Sequence, residues 1–267
     1  MSDFKASIIS LTFGRYELTQ KVFEHNLKSI DRKSYELLIC DQGPGITERD
    51  REAAMGDHLQ YVEYLKSLNA DHLRLNHYNE GVARSLNQLM LRCNTDYIIF
   101  MPPDIELDEN WLEPLVSHAA DIPHSGIVGF EGQDLVLPER SLVGTSGKKY
   151  VVRSEENLVF DGCQVFGATL VTRELINKIG FYCEDYHPYA FEDSDYCFRA
   201  HMAGMLLYYI PNLKAKHVGL DHDHKTLYKE SKIRSYFSNA GIHRWRMQNY
   251  WRIGIYVPPP MLREELI

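Results

Sequence analysis

Several groups of residues carry side chains whose types and spacing could do chemistry. The densest is Glu192-Asp193-Ser194-Asp195, preceded by Tyr189-Ala190-Phe191 and followed by Arg199. Acidic side chains are favoured at a helix N-terminus, so the group reads equally as an acidic first turn. Read as chemistry, one carboxylate is a general base, since neighbouring like charge and partial burial raise its proton affinity. Asp104 follows Pro102-Pro103, with Glu106 and Asp108 close by. Hard divalent cations take carboxylate oxygens, and a departing diphosphate needs such a cation; the alternative is a solvated turn capping a helix at Asn110. His217 is followed by His222-Asp223-His224, an H-x-H pattern that by itself defines no zinc site. Asn79-x-Gly81 and Asn87 surround a predicted helix start, where backbone N–H groups could hold a diphosphate or Asn79 could simply cap the helix.

The elements around these groups alternate. Short apolar runs at 6–11, 35–40 and 97–101 predict buried strands, and helical spacing predicts helices at 16–30, 81–93, 110–119 and 173–179. Further helices are expected at 46–56 and 192–203, with strands at 59–64, 72–75, 126–130 and 164–172. A strand at 205–210 is stopped by Pro211. Such alternation indicates βαβ units and a mostly parallel sheet, with ligands gathered at the carboxyl ends of its strands. Thr12 to Arg15, Asp41 and Asp104 fall at those ends. Residues 131–161 read as a surface excursion. The tail from 225 to 254 reads as helical and aromatic, its rings either packing on the core or stacking on sugars.

The chain of 267 residues carries a net charge of -8, which does not favour a polyanionic partner such as nucleic acid. Cys40, Cys93, Cys163, Cys183 and Cys197 are odd in number and scattered, as expected of reduced thiols in a cytoplasmic protein. No window approaches 18 apolar residues and no signal peptide is recognisable, so no membrane span is expected.

Taken in order, these features resemble glycosyltransferase family 2, the inverting enzymes with the GT-A fold, and within it a rhamnosyltransferase-like branch. The strongest stretch runs from Phe166 through V-T-R-E-L-I-N-K-I-G-F, then F-E-D-S-D-Y-C-F-R, Gly204 and His217. Where the family commonly has D-x-D, this chain has Pro102-Pro103-Asp104, keeping only the second carboxylate, like N-P-D variants of the branch. The usual Pro and Asn of the first nucleotide loop are missing.

The resemblance implies a GT-A-like (Rossmann-like) α/β domain over 1–224, with a nucleotide-binding half at 1–110 and an acceptor half at 111–224. A C-terminal helical arm would follow at 225–267. It implies sugar transfer with inversion from a nucleoside-diphosphate sugar (UDP preferred, dTDP or GDP possible) to a hydroxyl of a glycan or lipid-linked saccharide. Implied nucleotide-sugar contacts are Thr12, Phe13, Arg15, Asp41, Asn79, Gly81, Arg84, Pro103, Asp104 and Gly167. Asp104 and His217 would hold Mn2+ or Mg2+. The base would be Asp193, with Glu192 and Asp195 as substitutes. A sugar-nucleotide-binding scaffold without turnover, and a transferase acting on protein or a nucleic-acid base, are the competing readings. A nucleotidyltransferase would need a Gly-rich basic loop that Leu11-Thr12-Phe13-Gly14-Arg15 reproduces poorly.

Overall fold

The computed structural model describes residues 5–43, 48–131, 151–153, 158–160, 167–218 and 229–249. From the N-terminus, β1 (Ala6–Thr12), α1 (Tyr16–Lys28), β2 (Tyr35–Asp41), α2 (Glu48–Ser67), β3 (His72–Leu75), α3 (Val82–Met90) and β4 (Tyr97–Phe100) form repeated βα units. The chain continues through β5 (Ile105–Leu107), α4 (Leu112–Asp121), β6 (Ser125–Glu131), β7 (Val151–Arg153), β8 (Leu158–Phe160) and β9 (Thr169–Thr172). It ends with α5 (Arg173–Ile179), α6 (Glu192–Met202), β10 (Leu206–His217) and α7 (Lys229–Gln248).

One sheet runs in the order β3-β2-β1-β4-β9-β6-β10-β8-β7. The β3-β2-β1-β4 part is parallel, as helical crossovers require. β9 then enters antiparallel between β4 and β6, and β6 pairs parallel with β10. The central strands β1, β2 and β9 are buried on both faces. Ile8, Leu37 and Ile39 pack with Phe23, Tyr61 and Trp111 on one side, and Ile9, Leu38 and Cys40 with Leu86, Leu175 and Tyr196 on the other. That period of two explains why these strands read as continuous apolar runs. Full burial of each such side chain is worth about 1.5–3 kcal/mol.

Several elements differ from expectation. The predicted helix at 46–56 and strand at 59–64 form the single helix α2, because Tyr61 and Leu65 are four residues apart on one buried face. Pro211 does not stop its strand. β10 slips register against β6 between Ile210 and Lys214, with Asn212 at φ 65, so the residue without an N–H falls in an irregularity. Beyond the slip, β10 pairs antiparallel with β5, a strand too short to read from sequence. The helix expected from Asn110 begins at Leu112, so the Asp104 turn does not cap it.

Cys40, Cys93, Cys183 and Cys197 are buried free thiols, whereas Cys163 lies outside the described residues. So do His222-Asp223-His224, most of 131–161 and the chain beyond 249. Among the described residues no helix is long and apolar enough to cross a membrane.

Candidate active site

β1 and β2 end side by side, Thr12 facing Asp41 in register. The Thr12 hydroxyl donates to Asp41 Oδ1 at 3.0 Å, the Gly43 N–H reaches Oδ2 at 3.2 Å, and His58 Nε2 of α2 stands 3.7 Å from Oδ2. Asp41 has no exposed surface, and burial raises its proton affinity against the opposing pull of His58 and these hydrogen bonds. Phe13 is half-buried on the loop that follows β1.

Asp104 lies where β5 crosses the end of β10. Buried Asn26 holds β5, its amide donating to the Ile105 carbonyl at 2.8 Å and accepting from the Leu107 N–H at 2.9 Å. Ile105 pairs in register with His217, and the Val218 N–H donates to the Asp104 carbonyl at 2.8 Å. His217 Nε2 therefore comes 3.3 Å from Asp104 Oδ2, and Arg15 Nη1 reaches the same oxygen at 3.1 Å. Glu106 and Asp108 face elsewhere. Glu106 pairs with Lys21 at 2.9 Å, and Asp108 accepts from the Lys214 N–H at 2.6 Å. A cation at Asp104 would meet one carboxylate and one imidazole, with Arg15 as a competitor for the carboxylate. No cluster of three or more His, Cys, Asp or Glu fit for a metal occurs among the described residues.

The acid turn opens α6. Ahead of it Ala190 and Phe191 both take left-handed conformations, φ 84 and φ 72, strain of order 1–3 kcal/mol per residue that surroundings must hold in place. The three carboxylates then divide. Asp195 is fully buried and accepts from Arg199 Nε at 2.8 Å and Arg246 Nε at 2.6 Å, with the Tyr186 hydroxyl at 3.3 Å. Its charge is matched twice over, which makes it an anchor rather than an open base. Glu192 is buried with Oε2 unpartnered among the described residues, and burial, then the adjacent Asp193 charge, push its pKa up to about 8. Asp193 is half-buried, accepts from the Ser194 N–H at 2.6 Å, and is raised by burial to about 6. The half-exposed Tyr189 has its hydroxyl within electrostatic reach of Glu192, Asp193 and Asp104. It therefore links the acid turn to the β5–β10 crossing.

The remaining expected residues serve mainly as struts. Asn79 Oδ1 accepts from the Gly81 N–H at 2.8 Å, a local turn. The Val82 N–H donates to the Pro188 carbonyl at 2.9 Å, so the start of α3 is closed in part by protein. Gly81 is needed there, since a Cβ would sit 2.7 Å from His187 Nδ1. Asn87 is buried, its Nδ2 donating to the Tyr182 carbonyl and its Oδ1 accepting from the Tyr182 N–H, each at 2.9 Å. Arg84 pairs with Glu80 at 3.6 Å. Gly167, at φ 76, precedes β9, whose start leaves the sheet on the same edge as the end of β4 and Pro103. Sequence reasoning missed Tyr189, Asn239, His243 and Arg246. For the last three, the spacing of four and three within an aromatic helix was the only signal.

Residues 7–132 match the model of the family described as glycosyl transferase family 2. No curated protein is matched by the chain. Among solved structures the chain is similar to GalNAc-T7 with UDP, GalNAc and Mn2+, at 15% identity over 80% of this chain and 43% of that one, TM-score 0.57. It is similar to the mannosyltransferase PcManGT from Pyrobaculum calidifontis in complex with GDP-Man and Mn2+, at 16% identity over 98% and 69%, TM-score 0.57. S. aureus TarS 1-349 in complex with UDP aligns at 13% identity over 79% and 59%, TM-score 0.52. The chain thus spans less than two thirds of GalNAc-T7 and of that TarS fragment. These likenesses show the fold, that of the GT-A glycosyltransferases.

Proposed function

We propose that the protein is an inverting glycosyltransferase that moves a hexose from a nucleoside-diphosphate sugar to a hydroxyl of a saccharide acceptor. The observation that carries this reading is the Glu192-Asp193 pair. It is held on a strained turn with no cation paired to it among the described residues, and Tyr189 lies within electrostatic reach of both the pair and Asp104. The family match over 7–132 and the nucleotide-bound neighbours support the donor class.

In this reading Thr12, Phe13, Arg15 and Asp41, with His58 beside it, receive the nucleoside. Asp104 and His217 would hold a divalent cation. The imidazole suits Mn2+ better than Mg2+. When bound, the cation neutralises charge developing on the diphosphate. Arg15 adds a guanidinium on the same side. Asp193 takes the proton from the acceptor hydroxyl as its oxygen attacks the anomeric carbon from the face opposite the diphosphate. One displacement inverts that centre. Burial raises both acids, and the Asp193 charge adds to the rise at Glu192, so Asp193 is the more readily ionised partner. Tyr189 and Tyr236, both partly exposed beside the turn, offer ring faces to the acceptor sugar.

A panel of UDP-, dTDP- and GDP-sugars, with and without Mn2+, tests the donor class by thermal shift. A ligand that binds only the folded state must raise its apparent stability. A Mn2+-dependent rise with a UDP-sugar is expected; no rise with any member of the panel refutes the reading.

A further inference from the structure

Helix α7 turns a polar face inward. Asn239, His243 and Arg246 share one side of the helix. Asn239 and Arg246 are buried, whereas Phe237 and Trp245 on other sides are exposed. Each inward residue meets the segment that carries the acids. Asn239 Nδ2 donates to the carbonyl of Tyr189 at 2.8 Å and of Ala190 at 3.3 Å. Those carbonyls belong to the two peptide planes flanking Ala190, so one amide fixes both dihedrals of a left-handed residue. His243 stacks on the Phe191 ring with centroids 5.0 Å apart, and its Nδ1 lies 3.3 Å from the Tyr186 hydroxyl. Arg246 reaches Asp195 Oδ1 with Nε at 2.6 Å and Oδ2 with Nη2 at 3.3 Å, and its guanidinium lies over the Tyr186 ring.

The strained pair Ala190-Phe191 thus sits between two anchors supplied by an element more than forty residues further along the chain. Left-handed residues bearing a Cβ persist only where the surroundings over-determine them. Without α7, the turn would relax toward an ordinary helix start, in which acidic side chains face water. We propose that Asn239 and Arg246 are positioning residues for the reaction at Asp193, holding the 189–195 turn in the geometry that buries the Glu192-Asp193 pair. This rests on the reading of Asp193 as base. Other titratable or charged groups around the turn are Tyr189 and Asp104 on one side, and Tyr186, Asp195, Arg199 and His243 on the other.

The test uses the full chain with Asn239→Ala, which removes both carbonyl bonds, and Arg246→Lys, which keeps the charge but loses the two-point contact. Asn239→Ala should lower kcat at least tenfold while donor KM and the donor-induced thermal shift stay unchanged. The acid limb of the pH–rate profile should move to lower pH, because a relaxed turn exposes Asp193. Arg246→Lys should do the same to a smaller degree and serves if the first variant fails to fold. Carboxyl 13C titration, with the Asp193 signal assigned by its loss in Asp193→Asn, follows the same shift without turnover. An unmoved limb with unmoved titration overturns the proposal. Loss of donor binding in step with kcat does so too, for the helix would then only hold the fold together. If Asp193→Asn itself kept its turnover, the base reading would fail, and the titration alone would still decide whether α7 positions the turn.

Discussion

The acid turn of α6 and the β5–β10 crossing are both built around carboxylates, and they treat negative charge in opposite ways. At the crossing, Asp104 is partly exposed and shares one oxygen between Arg15 and His217. In the turn, Glu192 and Asp193 are drawn into the protein with backbone N–H groups and, among the described residues, no paired cation, while Arg199 and Arg246 are taken up by Asp195. A partly exposed carboxylate beside an imidazole can offer an oxygen to a metal in place of Arg15, whose guanidinium can then pair with phosphate. A carboxylate short of counter-charge binds a proton more tightly, which is what a general base near neutral pH requires. The two arginines on Asp195 keep this contrast sharp, because they prevent positive charge from reaching its neighbours two and three residues earlier.

The largest effect should come from the turn. Asp193→Asn keeps shape and removes the base, so turnover should fall by roughly 10²–10⁴-fold, the usual worth of general base catalysis. Donor binding, measured by thermal shift, should persist, because the proposed donor contacts lie at the other region. Near-normal turnover in this variant would erase the contrast between the two regions.

A smaller effect is expected at the crossing. His217→Ala removes the imidazole from Asp104, and the Mn2+ concentration for half-maximal turnover should rise roughly 10- to 100-fold, as for loss of a group that orients a metal site. The acid limb of the pH–rate profile should not move, since the carboxylate that His217 meets among the described residues is Asp104. A shifted limb in steady-state kinetics would mean that the regions titrate together.

How far each region was legible differs for physical reasons. The parallel part of the sheet could be read because β1, β2 and β4 are buried on both faces and appear as apolar runs. The crossing could not be read from local pattern, and only the family resemblance set Asp104 beside His217. β5 has three residues, and Pro211 hides the continuation of β10, so the approach of His217 to Asp104 depended on a register slip that no local pattern encodes. The acid turn was visible as three carboxylates, yet their division was not. Asp195 is singled out by Arg246, fifty-one residues away, a pairing that exists only in the fold. In α7 the aromatic residues drew attention, although Phe237 and Trp245 are exposed and the polar residues between them do the packing.

The smallest effect separates proton storage from catalysis within the turn. Burial, and then the charge of Asp193, push Glu192 up to about 8. In the unfolded chain a glutamate titrates near its ordinary value, about 4.3. Between those values the folded protein binds more protons than the unfolded chain, so stability falls as pH rises. The contribution of Glu192 is fully present below about pH 4.3 and is lost as pH rises through about 8. Glu192→Gln keeps the side chain's size and removes this linkage. In urea unfolding between about pH 5 and pH 8, its midpoint should decline less steeply than that of the wild type. A residual slope of the same sign should remain, because Asp193 is also raised by burial, to about 6. Parallel curves for the two proteins would show that Glu192 does not carry the extra proton. Asp193 would then have to account for the whole pH dependence of the turn, with its acid limb displaced upward to match.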